Sequence, residues 1–190
     1  MPSTKALAKT LLDRAVRVVE EAPNLDKAVA RLAGVLYPVF FPRRVDVGLR
    51  VSHDRLVICG VWSASHTRLT KGSVLRTGAT GFPDLLEQPG VVMSANIPTV
   101  PCGEALKQEG IHAWIAVPIP SNRVIEGGLG VAARTDVFKG HEEFFALLGG
   151  ETGERLAELA RQSEPYRQER ESVLVLNRSR PDENLRLTDG

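Results

Sequence analysis

The alternation of apolar and polar positions divides the chain into helices, strands and an irregular middle. In the segment 5–20, apolar residues form two neighbouring stripes at helical spacing. A helix with such a broad apolar face is expected to pack on more than one neighbour. The segment 25–37 has a single, cleaner stripe, with Asn24 placed to cap the helix and Pro38 predicted to end it.

Strand patterns come in two pairs. Residues 45–51 alternate between apolar and polar side chains, which indicates a strand with one solvated face. Residues 56–62 are apolar on both faces, and the short turn between the two segments makes them an antiparallel hairpin. A second hairpin is predicted from strands at 112–119 and 124–134.

The stretch from 63 to 101 lacks a sustained period and is rich in glycine and proline. We predict short helices at 84–87 and 103–109 and a short strand at 91–93. Long irregular connections of this kind often carry functional residues. This segment is therefore where we look first for a ligand site.

A long helix is predicted from about Gly140 onwards. Its glycines at positions 149, 150 and 153 lower helix stability, so they indicate close packing or a break. Pro165 is expected to interrupt this helix. Residues 166–190 are charged, and we expect a short extension followed by a largely disordered tail.

The second hairpin carries a resemblance to a known family. The segment 110–119 reads Gly-Ile-His-Ala-Trp-Ile-Ala-Val-Pro-Ile, and the segment 127–131 reads Gly-Gly-Leu-Gly-Val. Phe138 and a helix start at 141–144 follow. This succession resembles the C-terminal half of GAF domains, and the resemblance covers about residues 25–161.

The resemblance implies an α+β fold. A central antiparallel sheet of five to six strands would be flanked by helices in α/β/α layers. The expected division of the chain is an N-terminal helix at 1–23, used for dimerisation and signalling, and the GAF domain at 24–163. A helical extension with the disordered tail would occupy 164–190.

The resemblance also implies a small-molecule pocket under the irregular middle and a helical dimer interface on the opposite face of the sheet. It identifies neither the ligand nor a cofactor. The residues expected at the pocket are Trp62, Thr80, Phe82, Asp84, Met93, Cys102, His112 and Trp114. The residues expected at a homodimer interface are Leu7, Leu11, Val18, Leu156 and Leu159.

Only two cysteines are present, and neither belongs to a CxxC pair, which favours a reduced, cytoplasmic setting. Cys102 stands close to the position of the bilin-attaching cysteine of some GAF domains, but Gly103 replaces the histidine found there. GAF-type methionine sulfoxide reductases also need a resolving cysteine in a turn, and the equivalent segment 78–81 has none. We therefore assign no catalytic residue and do not expect an enzyme.

Composition narrows the remaining classes. The net charge is +1, so no basic field supports direct nucleic-acid binding. The apolar runs are too short to span a bilayer, no signal peptide is evident, and no two histidines have metal-ligand spacing. The Asn-Lys-x-x-x-Phe signature of nucleotide-binding GAF domains is also missing.

Three functions stay open at this stage. The first is a sensory or regulatory domain, for example in transcription regulation, that binds a small molecule and signals through a helical dimer. The second is a scaffold that binds another protein through its helices or through the apolar stretch 173–176. The third is a redox enzyme that depends on Cys102. The sequence shows neither an output domain nor a partner for the first two.

Overall fold

The computed structural model describes residues 4–80, 83, 90–94, 101–121 and 124–178. The strands are β1 (Arg44–Arg50), β2 (Arg55–Ser63), β3 (Val74–Arg76), β4 (Val92–Ser94), β5 (Ala113–Ser121) and β6 (Val124–Ala133). The helices in the described residues are α1 (Thr4–Glu20), α2 (Leu25–Phe40), α3 (Pro101–Gln108), α4 (Glu142–Arg161) and α5 (Glu164–Arg178).

One six-stranded sheet organises these elements, in the order β3-β2-β1-β6-β5-β4. Every neighbouring pair of strands is antiparallel, including the two predicted hairpins, β1–β2 and β5–β6. The antiparallel α+β architecture expected from the sequence is therefore confirmed. The three-residue edge strand β3 was not predicted, because it interrupts a stretch without alternation.

The main core lies between one face of the sheet and the layer formed by α1, α2 and α4. Helix α1 packs against both α2 and α4, as its broad apolar face predicts. The capping of α2 is also as predicted, because the Asn24 side chain accepts a hydrogen bond of 3.0 Å from the Lys27 backbone N–H. Nonpolar side chains from alternate positions of β1, β5 and β6 fill the other side of this core.

Helix α2 does not end before Pro38, contrary to the prediction; it continues to Phe40. A proline inside a helix removes one hydrogen bond and crowds the carbonyl four residues earlier. Here that residue is Gly34, and both positions are exposed, so water can solvate the freed carbonyl. Continuation of the helix carries Phe40 into the core, where its ring contacts three other phenylalanine rings.

Helix α4 is unbroken through its glycines, so the close-packing alternative is correct. A Cβ atom on Gly149 would lie 2.3 Å from the Val117 side chain of β5. The missing side chain therefore lets α4 approach the sheet closely, which offsets the cost of glycine in a helix. The contact fixes the height of α4 over β5.

The C-terminal extension forms a full helix, which is longer than the sequence indicated. Pro165 lies in the first turn of α5, where the backbone N–H that proline lacks would have no partner within the helix. Tyr166 is buried in the main core, and Glu169 forms an ion pair of 2.8 Å with Arg55 of β2. The predicted disordered tail lies outside the described residues, as does the predicted helix at 84–87.

Candidate functional site

A cavity of about 110 Å³ lies on the face of the sheet opposite the main core. Its walls come from the sheet, from α3 and from the connection that follows β2. The described residues that line it are Arg44, Asp46, Gly48, Leu56, Ile58, Leu69, Leu75, Thr80, Leu106, Trp114, Ala116, Gly128, Leu129, Gly130, Val131 and Ala132. The lining is largely apolar, with a few polar groups, which is typical of small-molecule sites.

The cavity exists because the strands carry small residues on this face. The sheet backbone is close to the cavity, because its floor consists of glycine and alanine residues: Gly48, Gly128, Gly130, Ala116 and Ala132. Gly130 also makes room for a charged neighbour, because a Cβ atom there would lie 2.8 Å from the Asp46 carboxylate. Larger side chains at these positions would fill the space that a ligand needs.

A matched ion pair closes one side of the cavity. Arg44 Nε lies 2.5 Å from Asp46 Oδ2, and the Arg44 side chain is 2% exposed. Arg44 Nη1 also donates to Thr67 Oγ1 at 2.6 Å, and Thr67 in turn donates to Glu109 Oε1 at 2.7 Å. This network connects β1 to the residue that follows α3. It also fixes the Arg44 guanidinium beside the Asp46 carboxylate.

Trp114 supplies a polar atom without a partner. Its indole Nε1 is buried and has no hydrogen-bond partner among the described residues. Trp114 packs against two small clusters, one formed by Leu56, Ile58 and Ala116 and the other by Ile111 and Ala132. A buried indole N–H usually finds an acceptor, so this one marks a place where a ligand atom would complete the site.

Two of the residues expected at the pocket, Thr80 and Trp114, line the cavity. The Thr80 hydroxyl donates to the Thr77 carbonyl at 2.7 Å. His112 is exposed just before β5 and does not line it. Met93 lies in β4 and Cys102 in α3, but the side chains of both lie outside the described part of the structure, as do residues Phe82 and Asp84.

Trp62, which was expected at the pocket, lies on the other face of the sheet. Trp62 packs against the main core on the helix side of the sheet, and it is not among the described residues that line the cavity. The reason is an irregularity: the pairing of β1 with β2 shifts by one residue between Val47 and Gly48. Such a bulge changes which residues face each side of the strand, and a regular alternation cannot reveal it.

The expected dimer residues divide into two groups. Leu156 and Leu159 are buried in the core of the chain itself, so they are not available to a partner; this part of the expectation is wrong. Leu11 and Val18 are partly buried at the margin of the same core. Leu7 is 57% exposed on α1, so it is the only one of the five that presents most of its side chain to solvent.

Sequence reasoning missed the ion pair of the site. The alternation in β1 places Asp46 on a solvated strand face and indicates no role for Arg44. A signal was present, because two opposite charges two residues apart on a strand share one face. The covering of that face by α3 and the middle segment depends on tertiary packing, which the alternation pattern does not report.

Cys59 is the cysteine whose side chain the structure describes, and its surroundings do not favour a reactive thiolate. Cys59 is fully buried, and burial raises the pKa of its thiol to about 11. Among the described residues, no three His, Cys, Asp or Glu side chains are grouped so that they could bind a metal ion. No described helix has the length and hydropathy that a bilayer-spanning segment requires.

The fold can now be compared with known proteins. No protein-family model matches the sequence, and no curated protein matches it either. Solved structures do match in fold. The GAF domain of a phosphoenolpyruvate-protein phosphotransferase from Coxiella burnetii is 18% identical with a TM-score of 0.64, over 83% of this chain and 95% of that one.

Two further structures have comparable similarity. Free methionine-R-sulfoxide reductase from Neisseria meningitidis is 18% identical with a TM-score of 0.62, over 85% of this chain and 95% of that one. The chromophore-binding domain of a bacteriophytochrome from R. palustris is 12% identical with a TM-score of 0.63, over 85% of this chain. This chain spans 64% of the length of that phytochrome chain. The chain therefore has the GAF-domain fold.

Proposed function

We propose that this chain is a sensory or regulatory GAF domain that binds a small molecule and transmits its presence through helices. The observation that carries the proposal is the apolar cavity over a floor of glycine and alanine, with a matched ion pair at its wall. Proteins fill their interiors to high density, so an apolar space of this size beside the sheet is typical of a ligand site. We assign no cofactor.

Ligand occupancy has a direct route to the helix layer. Asp46 faces the cavity, whereas its neighbours Val45 and Val47 are fully buried against the helices on the other face. Packed cores do not deform continuously, so a small displacement of β1 changes the packing of α2 and α4.

A second route leads to α5. Thr80 lines the cavity, and three residues earlier the Thr77 N–H donates to the Asp54 carbonyl at 2.9 Å. The next residue, Arg55, forms the ion pair with Glu169. The cavity rim, the turn between β1 and β2, and α5 are therefore connected by short, direct contacts.

We propose that the chain forms a homodimer through the exposed side of α1, centred on Leu7. Replacement of Leu7 by Glu is expected to reduce the dimer fraction measured by sedimentation velocity. Lys9→Glu, at an exposed site on the opposite side of the same helix, serves as the control. Equal dimer fractions in the two variants would contradict this interface. Leu156→Glu is not a useful test, because it would place a charge in the core.

A scaffold function is the second candidate, and one observation favours it. Leu174, Val175 and Leu176 are each about half or more exposed on α5. Exposed apolar side chains clustered within one turn of a helix can contact another protein. This function predicts that no small molecule stabilises the chain.

We do not propose an enzyme, although one matched structure is a methionine-R-sulfoxide reductase. Cys59 cannot assist Cys102, because it is enclosed in the core and its thiol has a raised pKa. The direct test is incubation with free methionine-R-sulfoxide and a dithiol reductant. We expect no turnover; turnover that disappears in Cys102→Ser would establish the redox function instead.

The main experiment is a search for a ligand. Native mass spectrometry of the purified chain and a thermal-shift screen of small metabolites should reveal a binder. The same screen on Ala116→Leu, which adds carbon atoms to the cavity floor, should lose the shift for any binder of this site. A broad screen without a hit, or hits that Ala116→Leu retains, would count against the sensory function.

A further inference from the structure

The unpartnered indole of Trp114 points to the chemistry of the ligand. The inference rests on the proposed function, since it concerns what the cavity binds. Four described residues have a buried side-chain nitrogen or oxygen without a hydrogen-bond partner, and only Trp114 among them lines the cavity. Its Nε1 is the sole polar atom of its side chain, so the indole has no other way to recover the lost hydration.

The charges of the described cavity wall are already paired, which disfavours an ionic ligand. Arg44 and Asp46 form a close pair, and Arg44 donates a second hydrogen bond to Thr67. Within the described lining, a charged ligand would have to be desolvated without a free counter-charge, or would have to separate this pair. A neutral molecule meets neither cost.

The dimensions of the cavity limit the ligand further. The volume is about 110 Å³. An engineered apolar cavity of about 150 Å³ in another protein accepts benzene, so a five- or six-membered ring matches the space between the described walls. The glycine and alanine floor allows such a ring to lie close to the strand backbone.

We propose that the cavity binds a small, neutral, ring-sized molecule with one hydrogen-bond acceptor, and that Trp114 Nε1–H donates to that acceptor. Cyclic ketones, lactones and neutral heteroaromatic rings belong to this class. The remainder of the ligand contacts Leu56, Ile58 and Leu75 without polar groups. Trp114 is thus a specificity-determining residue, because a ligand without an acceptor leaves its N–H unpaired.

The test uses three probes that share a five-membered ring: cyclopentanone and cyclopentane, which differ by one oxygen atom, and the larger anion cyclopentanecarboxylate. Affinities are measured by calorimetry or by saturation-transfer NMR. Cyclopentanone is expected to bind about tenfold more tightly than cyclopentane, which is the effect of one hydrogen bond to a buried donor. The carboxylate is expected to bind more weakly than the ketone. In Trp114→Phe, the advantage of the ketone over cyclopentane should fall below about threefold.

An NMR measurement on the protein that retains Trp114 tests the same hydrogen bond even if Trp114→Phe does not fold. The chain has two tryptophans, so a ¹H–¹⁵N spectrum contains two indole N–H signals. Trp62→Phe assigns them, because it removes one of the two signals. Trp62 packs on the opposite face of the sheet and is therefore the internal reference. Cyclopentanone should shift the Trp114 signal and slow its hydrogen exchange, and it should leave the Trp62 signal in place.

The results separate this inference from the proposed function. Equal binding of ketone and hydrocarbon, tightest binding of the carboxylate, or no binding of any probe would each overturn the neutral-acceptor ligand. The proposed function survives those results if the broad screen yields a ligand that Ala116→Leu excludes. It fails if that screen yields none.

Discussion

The two faces of the sheet are built from alternate residues of the same strands, yet only one face is filled. On β1, Val45, Val47 and Leu49 are fully buried against the helix layer. Their neighbours Arg44, Asp46 and Gly48 line a cavity. The backbone pairing is common to both faces, so the size of the side chains decides which face is a core and which is a binding site.

The largest difference between the faces should appear when equal side chains are truncated on each. Leu148→Ala removes a fully buried side chain of the helix-side core and should lower the free energy of unfolding by about 3–5 kcal/mol. Leu56→Ala enlarges a cavity that already exists and should cost about 1–2 kcal/mol. Denaturant unfolding of both variants measures the contrast. Equal losses would show that the cavity face is packed like the core.

The second prediction concerns the ion pair, the most polar feature of the cavity face. Asp46→Ala leaves the buried Arg44 guanidinium without its carboxylate. Because the Asp46 side chain is 21% exposed, water reaches the pair, and we expect a loss of about 2–4 kcal/mol rather than the full cost of an enclosed charge. The double variant Arg44→Met/Asp46→Ala should be more stable than Asp46→Ala. A double variant that is less stable would mean that the guanidinium is satisfied without Asp46.

The third prediction tests how well the helix side excludes water. The Cys59 thiol has a pKa of about 11 when folded, against 9.0 for an exposed thiol, because burial disfavours the thiolate. Between these values the unfolded chain releases the proton first, so stability is unaffected below pH 9 and falls as the pH rises to 11. The loss should approach about 2–3 kcal/mol relative to Cys59→Ala measured at the same pH values. Parallel pH profiles for the two proteins would mean that solvent reaches this part of the core.

The helix-side face could largely be predicted from the sequence, because its periodicities are local. The stripe of α2, its Asn24 cap and the alternation in β1 each follow from neighbours in the chain. The failures on this side have identifiable causes. Pro38 is accommodated by an exposed Gly34, and Leu156 faces its own core instead of a partner chain.

The cavity face was harder to predict, since its residues meet only through tertiary packing. Trp114 and Thr80, which are expected at a pocket from their place in the chain, line the cavity, whereas the bulge in β1–β2 pairing turns Trp62 to the other face. Arg44 reaches Thr67 and, through it, Glu109, which lie 23 and 65 positions further along the chain. No pattern of local spacing predicts such a network.

The smallest effect on stability should accompany the largest effect on binding, and Ala116→Leu is designed to show this. The added carbon atoms occupy existing space, so the free energy of unfolding should change by less than about 1.5 kcal/mol. Binding of any cavity ligand should disappear, as followed by calorimetry. Ala146→Leu, at an exposed site on α4, is the matched control and should retain binding. A core face tolerates no such substitution without strain, so a stable variant that no longer binds would show that the second face is kept open for a ligand. A variant that loses several kcal/mol would show instead that this face is packed like the first.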